Sequence, residues 1–145
     1  MKNQLIKRTA IVGLFLMMAV VGVQAQTPTR VEVQIPFDFS AGKAQLKAGT
    51  YTVKQRAGNV LAISSADGKV TLINAPLTIG SRDAKAGERL VFNQYDDQYF
   101  LSQVWITAES GRQLFTSNAE ARTAREFRLA KKDAQPKRLE IAVRK

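Results

Sequence analysis

The stretch Arg30-Val-Glu-Val-Gln-Ile-Pro-Phe-Asp-Phe39 alternates apolar and polar side chains along its whole length. Successive side chains of a strand point to opposite faces, so period two over this length predicts a half-buried β-strand. Pro36 has no N–H to donate, which predicts an edge, a bulge or a break at that point. The predicted inward side chains are Val31, Val33, Ile35, Phe37 and Phe39.

Further strand patterns follow this stretch at short spacing. Asp67-Gly68 separates two apolar runs and predicts a hairpin with a type I′ turn, whose second strand would end near Pro76. Residues 98–107 have apolar side chains at both odd and even positions, so both faces of the predicted strand are apolar. This pattern indicates a central strand that is covered on each face. In that strand we expect Leu101 and Trp105 to share one side.

The pattern changes period near the C-terminus. Ser117 and Glu120 have the spacing of a capping box, and the Ala-, Arg- and Glu-rich residues after them predict a helix at about 117–132. A final alternating strand is predicted at about 138–144. The fold class is therefore all-β and mainly antiparallel: a small β-sandwich or partly open barrel of about seven strands with one C-terminal helix.

Residues 1–25 have the three zones of a cleavable signal peptide. A basic start is followed by an apolar run over 10–23 and by Val23-Gln24-Ala25, which has the A-x-A-like pattern of a cleavage site. The alternative is a retained anchor, but a helix of that run would rise only about 21 Å against a hydrocarbon core of about 30 Å. We expect cleavage after Ala25, a single β-rich domain over 26–145, and a periplasmic or extracellular location.

The residue inventory excludes several chemistries. The chain has no His and no Cys, so it has no Ser-His-Asp triad, no thiolate nucleophile, no disulfide and no zinc site built from those ligands. Asp, Glu, Lys, Ser and Tyr remain, and no cofactor is predicted. Loss of the leader would lower the net charge from +10 to +7, with ten basic and four acidic residues in 111–145.

A row of cations on the predicted helix is a candidate anion-binding site. Arg122, Arg125, Arg128 and Lys131 recur every three residues, and guanidinium groups suit phosphate, sulfate or carboxylate. The expected ligands would be anionic envelope glycans or lipid head groups. Nucleic acid is not the expected partner, because no recognised binding motif is present. The alternative is a helix face that is only solvated.

Aromatic residues of one predicted hairpin form a second candidate site. Trp105 and Tyr99, if exposed, would offer ring faces on which sugars or bases could stack. The alternative is that both rings pack in the core.

Carboxylates are the third candidate group. Asp38 lies between two phenylalanines, where its pKa could be raised, or it faces water or caps a turn. Asp96-Asp97 is interpreted as a tight turn, because the oxygen-rich loop that calcium needs is missing. A carboxylate-based hydrolase would need two acids facing one pocket, and no signature places such a pair.

Residues 35–39 (IPFDF), 42–43 (GK) and 46–53 (LKAGTYTV) together resemble the opening I-P-F-[DE]-F … G … L-P-A-G-x-Y-x-V of a group of small exported bacterial proteins. Residues 111–117 (GRQLFTS) resemble the segment that leads to a Glu/Arg-rich helix in that group. Lys47 stands where the group often has Pro. The resemblance implies export and a β fold, and it assigns no site residues.

Three functions follow as hypotheses. The first is a noncatalytic exported β domain that acts as a binding or envelope-associated structural module. The second is an anion-binding module that uses the basic C-terminal helix. The third is a carboxylate-based hydrolase, whose only support is that acidic residues are present.

Overall fold

The computed structural model describes residues 30–81, 84–131 and 134–143, and the predicted signal peptide lies outside these ranges. Within them the chain forms eleven strands, a single-turn 3-10 helix at Ala84–Ala86 and one α-helix, α1, at Asn118–Ala130. The strands are β1 (Arg30–Ile35), β2 (Phe39–Ala41), β3 (Ala44–Leu46), β4 (Gly49–Gln55), β5 (Val60–Ser65), β6 (Val70–Asn74), β7 (Leu77–Gly80), β8 (Arg89–Tyr95), β9 (Gln98–Trp105), β10 (Ser110–Gln113) and β11 (Lys137–Ala142).

The strands form two sheets. The first has the order β1-β4-β5-β6, and every pair in it is antiparallel. The second has the order β11-β8-β9-β10-β7, and the β2–β3 hairpin joins it where β2 runs parallel to β9 through Ser40 and Phe100. The result is a small, mainly antiparallel β-sandwich with a C-terminal helix, which confirms the predicted fold class.

The core lies between the two sheets. The alternation of the opening stretch is confirmed, since Val31, Val33 and Ile35 are each at most 2 % exposed. Across from them, Phe92 of β8 is fully buried, and the rings of Phe37 and Phe39 meet it edge-on. The predicted break at Pro36 separates β1 from β2, and the chain passes there from the first sheet to the second.

Helix α1 covers part of the second sheet on the face away from this core. The Phe127 ring packs edge-on against Tyr95 of β8, which in turn packs against Phe100 of β9. These contacts confirm that β9 belongs to a sheet that is covered on both faces, as its two apolar phases predict.

A register shift in β9 changes which side chains share a face. Phe92 pairs with Leu101, whereas the preceding residue, Val91, pairs with Gln103, so Ser102 is an extra residue in β9. The extra residue puts Leu101 in the core between the sheets and Trp105 on the opposite face with Arg89. The expectation that Leu101 and Trp105 share one side was therefore wrong, because strict alternation does not survive a bulge.

The Asp67-Gly68 hairpin forms, but its turn type differs from the prediction. Gly68 has a φ of 84°, while Asp67 does not have a positive φ. Gly68 N–H donates to Ser65 O, and Ser65 N–H donates to Lys69 O, as in a three-residue loop whose last residue is left-handed. A type I′ turn needs positive φ at two successive positions, and here only the glycine supplies it.

The described strands outnumber the predicted seven because several are short. One predicted strand over 70–77 is in fact two, since the chain passes from β6 in one sheet to β7 in the other at Pro76. β3 has three residues, too few to show a period, and β10 overlaps the short strand that the sequence predicts at 112–115. At the C-terminus, α1 and β11 occupy the predicted places, while residues 132 and 144 lie outside the described ranges.

No helix among the described residues is long and apolar enough to cross a membrane.

Candidate functional site

A hollow of about 680 Å³ lies beside strand β6. We call it the β6 groove: it is bounded by the β2–β3 hairpin (residues 40–45), by residues 71–74 of β6, and by residues 115–119 at the start of α1. This volume is within the range of small-ligand and peptide-anchor sites.

The groove exists because the two sheets separate on this side. Pro76 sends the chain from β6 into the other sheet, so β6 has no strand beyond it in the part of the chain that the structure describes. Gly42, with a φ of 61°, makes the tight hairpin turn that forms one wall, and a methyl group added to it would lie 3.6 Å from Ile73 Cγ2. Hairpin and strand are therefore in near contact at the floor of the groove.

Exposed apolar side chains border the groove. Phe115 is 61 % exposed and Leu72 is 66 % exposed, and both line the groove. Val70, two residues before Leu72 on β6, is 54 % exposed. Among the described residues, the carboxylates take no part in lining it, and Lys43 is its one charged residue. Exposed apolar side chains at the edge of a concave surface are typical of ligand-binding sites, so the β6 groove is the candidate site.

Trp105 is not available as a stacking platform in this structure. It is 5 % exposed, its Nε1–H donates to Gln103 Oε1 (3.2 Å), and Arg89 Cζ lies 4.3 Å from its ring centroid. Tyr99 is half-buried and stacks on Phe37, with centroids 3.9 Å apart. Both rings are thus occupied by intramolecular packing, and the structure does not bring them together with the β6 groove.

The cations of α1 do not converge on one point. Successive residues of an α-helix turn by about 100°, so Arg122 and Lys131, nine positions apart, lie on opposite sides of it. Arg122, Arg125 and Arg128 are exposed. Lys131 bonds to Asp96 and lies over the Phe127 ring, 4.8 Å from its centroid. The row is therefore a spread of charges over half of the helix surface.

The Asp38 carboxylate is engaged in a loop contact, and its pKa is not raised. Its carboxylate accepts hydrogen bonds from Lys47 Nζ and from Ala48 N–H, both at 2.8 Å. The Lys47 hydrogen bond, followed by that of Ala48, lowers the pKa of Asp38. The turn interpretation of Asp96 also agrees with the structure, where its φ is 53°. Within the described ranges, no group of three acidic side chains could hold a metal ion.

Glu120 is a buried carboxylate that the sequence indicated only as a helix cap. Ser117 Oγ accepts from Glu120 N–H (3.1 Å), which is one half of the predicted capping box. The Glu120 side chain points into the sheet, where Asn93 Nδ2 donates to it at 2.8 Å and the Tyr95 hydroxyl lies 3.4 Å away. Burial raises the pKa of Glu120. Its position at the third residue of a helix predicted a cap, and only the tertiary fold turns it toward β8.

The Glu120 contact predicts a specific dependence of stability on pH. Its pKa is raised on folding, so its contribution to stability is highest below the ordinary value of 4.5 and decreases as pH rises through the higher folded value. Glu120→Gln removes that charge and keeps the acceptor oxygen. We expect the variant to gain stability relative to the wild type as pH rises above 4.5, by about 1.4 kcal/mol for each pH unit by which the pKa of folded Glu120 exceeds that value.

Urea unfolding at a series of pH values measures this difference. Glu126→Gln is the matched control, because it makes the same chemical change at an exposed position of the same helix. A difference between Glu120→Gln and the wild type that does not change with pH would mean that burial does not raise the pKa of Glu120.

The residues that border the groove were not identified from the sequence. Val70 and Leu72 were assigned to a predicted strand and Phe115 to another, and apolar residues in strands are expected to be buried. No signal in the sequence marks β6 as the strand whose outer side stays uncovered.

No family model, no curated protein and no solved structure matches this chain.

Proposed function

We propose that this chain is an exported, noncatalytic binding module whose ligand occupies the β6 groove. The observation that carries the proposal is the pairing of a hollow of about 680 Å³ with two apolar side chains, Phe115 and Leu72, that are each more than 60 % exposed. Burying such surface against a ligand is favourable, at about 25 cal/mol for each Å² removed from water.

Export is the first part of the proposal. Its support is the three-zone leader over 1–25 and the resemblance of residues 35–53 to exported bacterial proteins. N-terminal sequencing of protein from periplasmic and culture fractions tests it, and we expect the chain to begin at Gln26. Recovery of chains that still begin at Met1 from the soluble cytosol would contradict it.

The lack of catalysis is the second part. His and Cys are missing from the sequence, and the described groove lining contains no carboxylate. Glu120 is buried against Asn93 and Tyr95, on the face of the second sheet that α1 covers. The hydrolase alternative needs two carboxylates beside one substrate, so turnover of ester, glycoside or phosphate substrates that is lost on a single Asp or Glu substitution would overturn the proposal.

A fragment screen followed by ¹⁵N-resolved NMR tests the groove as the binding surface. We expect shift changes from apolar and amphipathic fragments to concentrate on residues 40–45, 71–74 and 115–119. Phe115→Ser should weaken the hits by about tenfold, equivalent to about 1.4 kcal/mol, because the ring is a wall of the groove. Leu129→Ser is the matched control, since Leu129 is 80 % exposed on α1 and does not line the groove.

The outcome of this screen separates the groove from other surfaces. Equal losses for Phe115→Ser and Leu129→Ser, or shift changes spread evenly over the surface, would show that the fragments bind exposed apolar side chains without a defined site. Either result would remove the support for the β6 groove as a binding site.

Anion binding through α1 is the second candidate function. The specific observation in its favour is that Arg122, Arg125 and Arg128 are exposed in a region with ten basic and four acidic residues. The ligand would be an anionic envelope glycan or lipid head group. Retention on heparin and on phosphatidylglycerol vesicles should then fall in the triple alanine variant of these arginines and stay unchanged in Phe115→Ser, whereas the groove proposal expects the opposite for its own ligands.

A further inference from the structure

Strand β6 is an edge of the four-stranded sheet, and the register shows which of its backbone groups are free. Ser65 N–H donates to Lys69 O (2.9 Å) at one end, and Ala75 N–H donates to Asn59 O (2.7 Å) at the other. In an antiparallel pair, hydrogen-bonded positions alternate, so residues 69, 71, 73 and 75 direct their backbone groups toward β5. The residues whose N–H and C=O groups point to the open side are Val70, Leu72 and Asn74.

The two edges of this sheet differ in their side chains. On β1, the opposite edge, the exposed positions are Arg30, Glu32 and Gln34. On β6, the exposed positions include Val70 and Leu72. Proteins discourage unwanted pairing at an edge with charged side chains, and apolar exposed edges favour the addition of another strand. Of these two edges, only β1 has charged side chains among its exposed positions.

We propose that the β6 groove takes an extended polypeptide segment of a partner, which pairs with Val70, Leu72 and Asn74 as a fifth strand of this sheet. The inference rests on the proposed function and names its ligand class. Strand addition supplies affinity through main-chain hydrogen bonds, and alternate side chains of the segment give selectivity. On one face they lie against Val70 and Leu72 at the border of the groove, and on the other they enter the groove toward Phe115.

The boundaries of β6 set the length of the paired segment. Pro76 ends the strand because it directs the chain into the other sheet, and the Gly68 turn precedes it. Five residues remain, which span about 17 Å in extended form. Lys43 is the one charge in the described lining, so the segment is expected to be apolar at alternate positions and neutral or acidic elsewhere.

A second copy of this chain is a less suitable occupant. The hairpin turn at Gly42–Lys43 and residues 115–119 stand beside the β6 edge as the walls of the groove. If two copies met edge to edge, the groove walls of one copy would collide with those of the other. An isolated strand of a partner carries no such walls and fits between them. The described ends of the chain, on β1 and after β11, belong to the far edges of the two sheets.

Hydrogen exchange of peptide complexes tests strand addition directly. Random decapeptides displayed on phage are selected on protein purified from the periplasm, and the selected peptides are synthesised. We expect them to slow exchange at the amides of Val70, Leu72 and Asn74 by at least about tenfold, because these donors become hydrogen-bonded. The amides of Thr71 and Ile73 serve as internal controls, because they already face β5 and are protected without peptide.

Variants at Leu72 separate the backbone contribution from that of the side chain. Leu72→Pro removes one outward N–H and leaves the hydrogen bonds to β5 in place, so peptide binding should be lost. Leu72→Thr keeps the N–H and a strand-forming side chain, and peptide binding should be retained. If Leu72→Pro does not fold, peptides N-methylated at alternate residues replace it: methylation in one phase should abolish binding and methylation in the other phase should not.

The outcomes distinguish this inference from the proposed function. Peptides or fragments that need Phe115 but leave the three amides unprotected would overturn strand addition and leave the groove as the binding site. Protection of the three amides without peptide, in a sample that sediments as a dimer, would make a second copy the occupant and overturn the peptide proposal. If no peptide and no fragment binds in a way that depends on Phe115, both the strand-addition proposal and the groove proposal are overturned.

Discussion

Phe92→Ala is expected to destabilise the protein by about 3–5 kcal/mol, a large part of the 5–15 kcal/mol that holds a typical domain folded. Phe92 is fully buried on β8, the strand between β9 and β11. Its ring meets Phe37 and Phe39 edge-on at centroid distances of 5.3 and 5.4 Å. Truncation leaves a cavity between the sheets that the surrounding strands cannot close.

Urea unfolding of the two variants Phe92→Ala and Phe115→Ala measures this effect against its control. The chemical change is the same, but Phe115 is 61 % exposed, so its loss should change the free energy of unfolding by no more than about 0.5 kcal/mol. Similar losses for the two variants would mean that Phe92 does not lie in a closed core, and the two-sheet packing would be wrong.

Gly111→Ala is expected to cost about 1–3 kcal/mol through a steric conflict with Trp105. The two residues are cross-strand partners on β10 and β9. A Cβ atom at position 111 would lie 2.7 Å from Trp105 Cδ2 and 2.9 Å from Cε3. The ring has little room to move, because Arg89 lies over it and its N–H is bonded to Gln103.

A double-mutant cycle isolates that conflict. In a Trp105→Ala background the added methyl group has space, so Gly111→Ala should become neutral or slightly stabilising, and the coupling should equal most of the single-variant cost. Gly80→Ala is the control, since its added Cβ would have its nearest neighbour, Glu109 O, at 3.9 Å. A coupling near zero would show that Trp105 does not pack over Gly111.

Both predictions depend on features that the sequence showed only in part. The inward position of Phe92 follows from a strand of apolar residues, but its contact with Phe37 and Phe39 depends on the crossing at Pro36. The approach of Trp105 to Gly111 depends on the extra residue at Ser102, which reversed the face expected for Trp105. A bulge is not visible in a period-two pattern, because that pattern assumes regular pairing.

The candidate site was less predictable than the fold. The sequence drew attention to Arg122, Arg125, Arg128, Lys131, Trp105 and Tyr99, which are the residue types that bind anions or rings. The structure buries Trp105, stacks Tyr99 on Phe37 and spreads the cations around α1. The β6 groove is instead bordered by Leu72 and Phe115, whose exposure depends on which neighbours the fold leaves out.

The sequence by itself determined the local features of this protein. The alternation over residues 30–39, the reversal at Gly68 and the helix start at Ser117 each follow from side-chain direction, backbone freedom or capping within a few residues. The tertiary structure alone decided that Pro76 divides β6 and β7 between two sheets, that Glu120 points into the sheet, and that the β6 edge stays open. Those features arise from pairing and packing between segments far apart in the chain, and short-range periodicity carries no information about which distant strand becomes a neighbour.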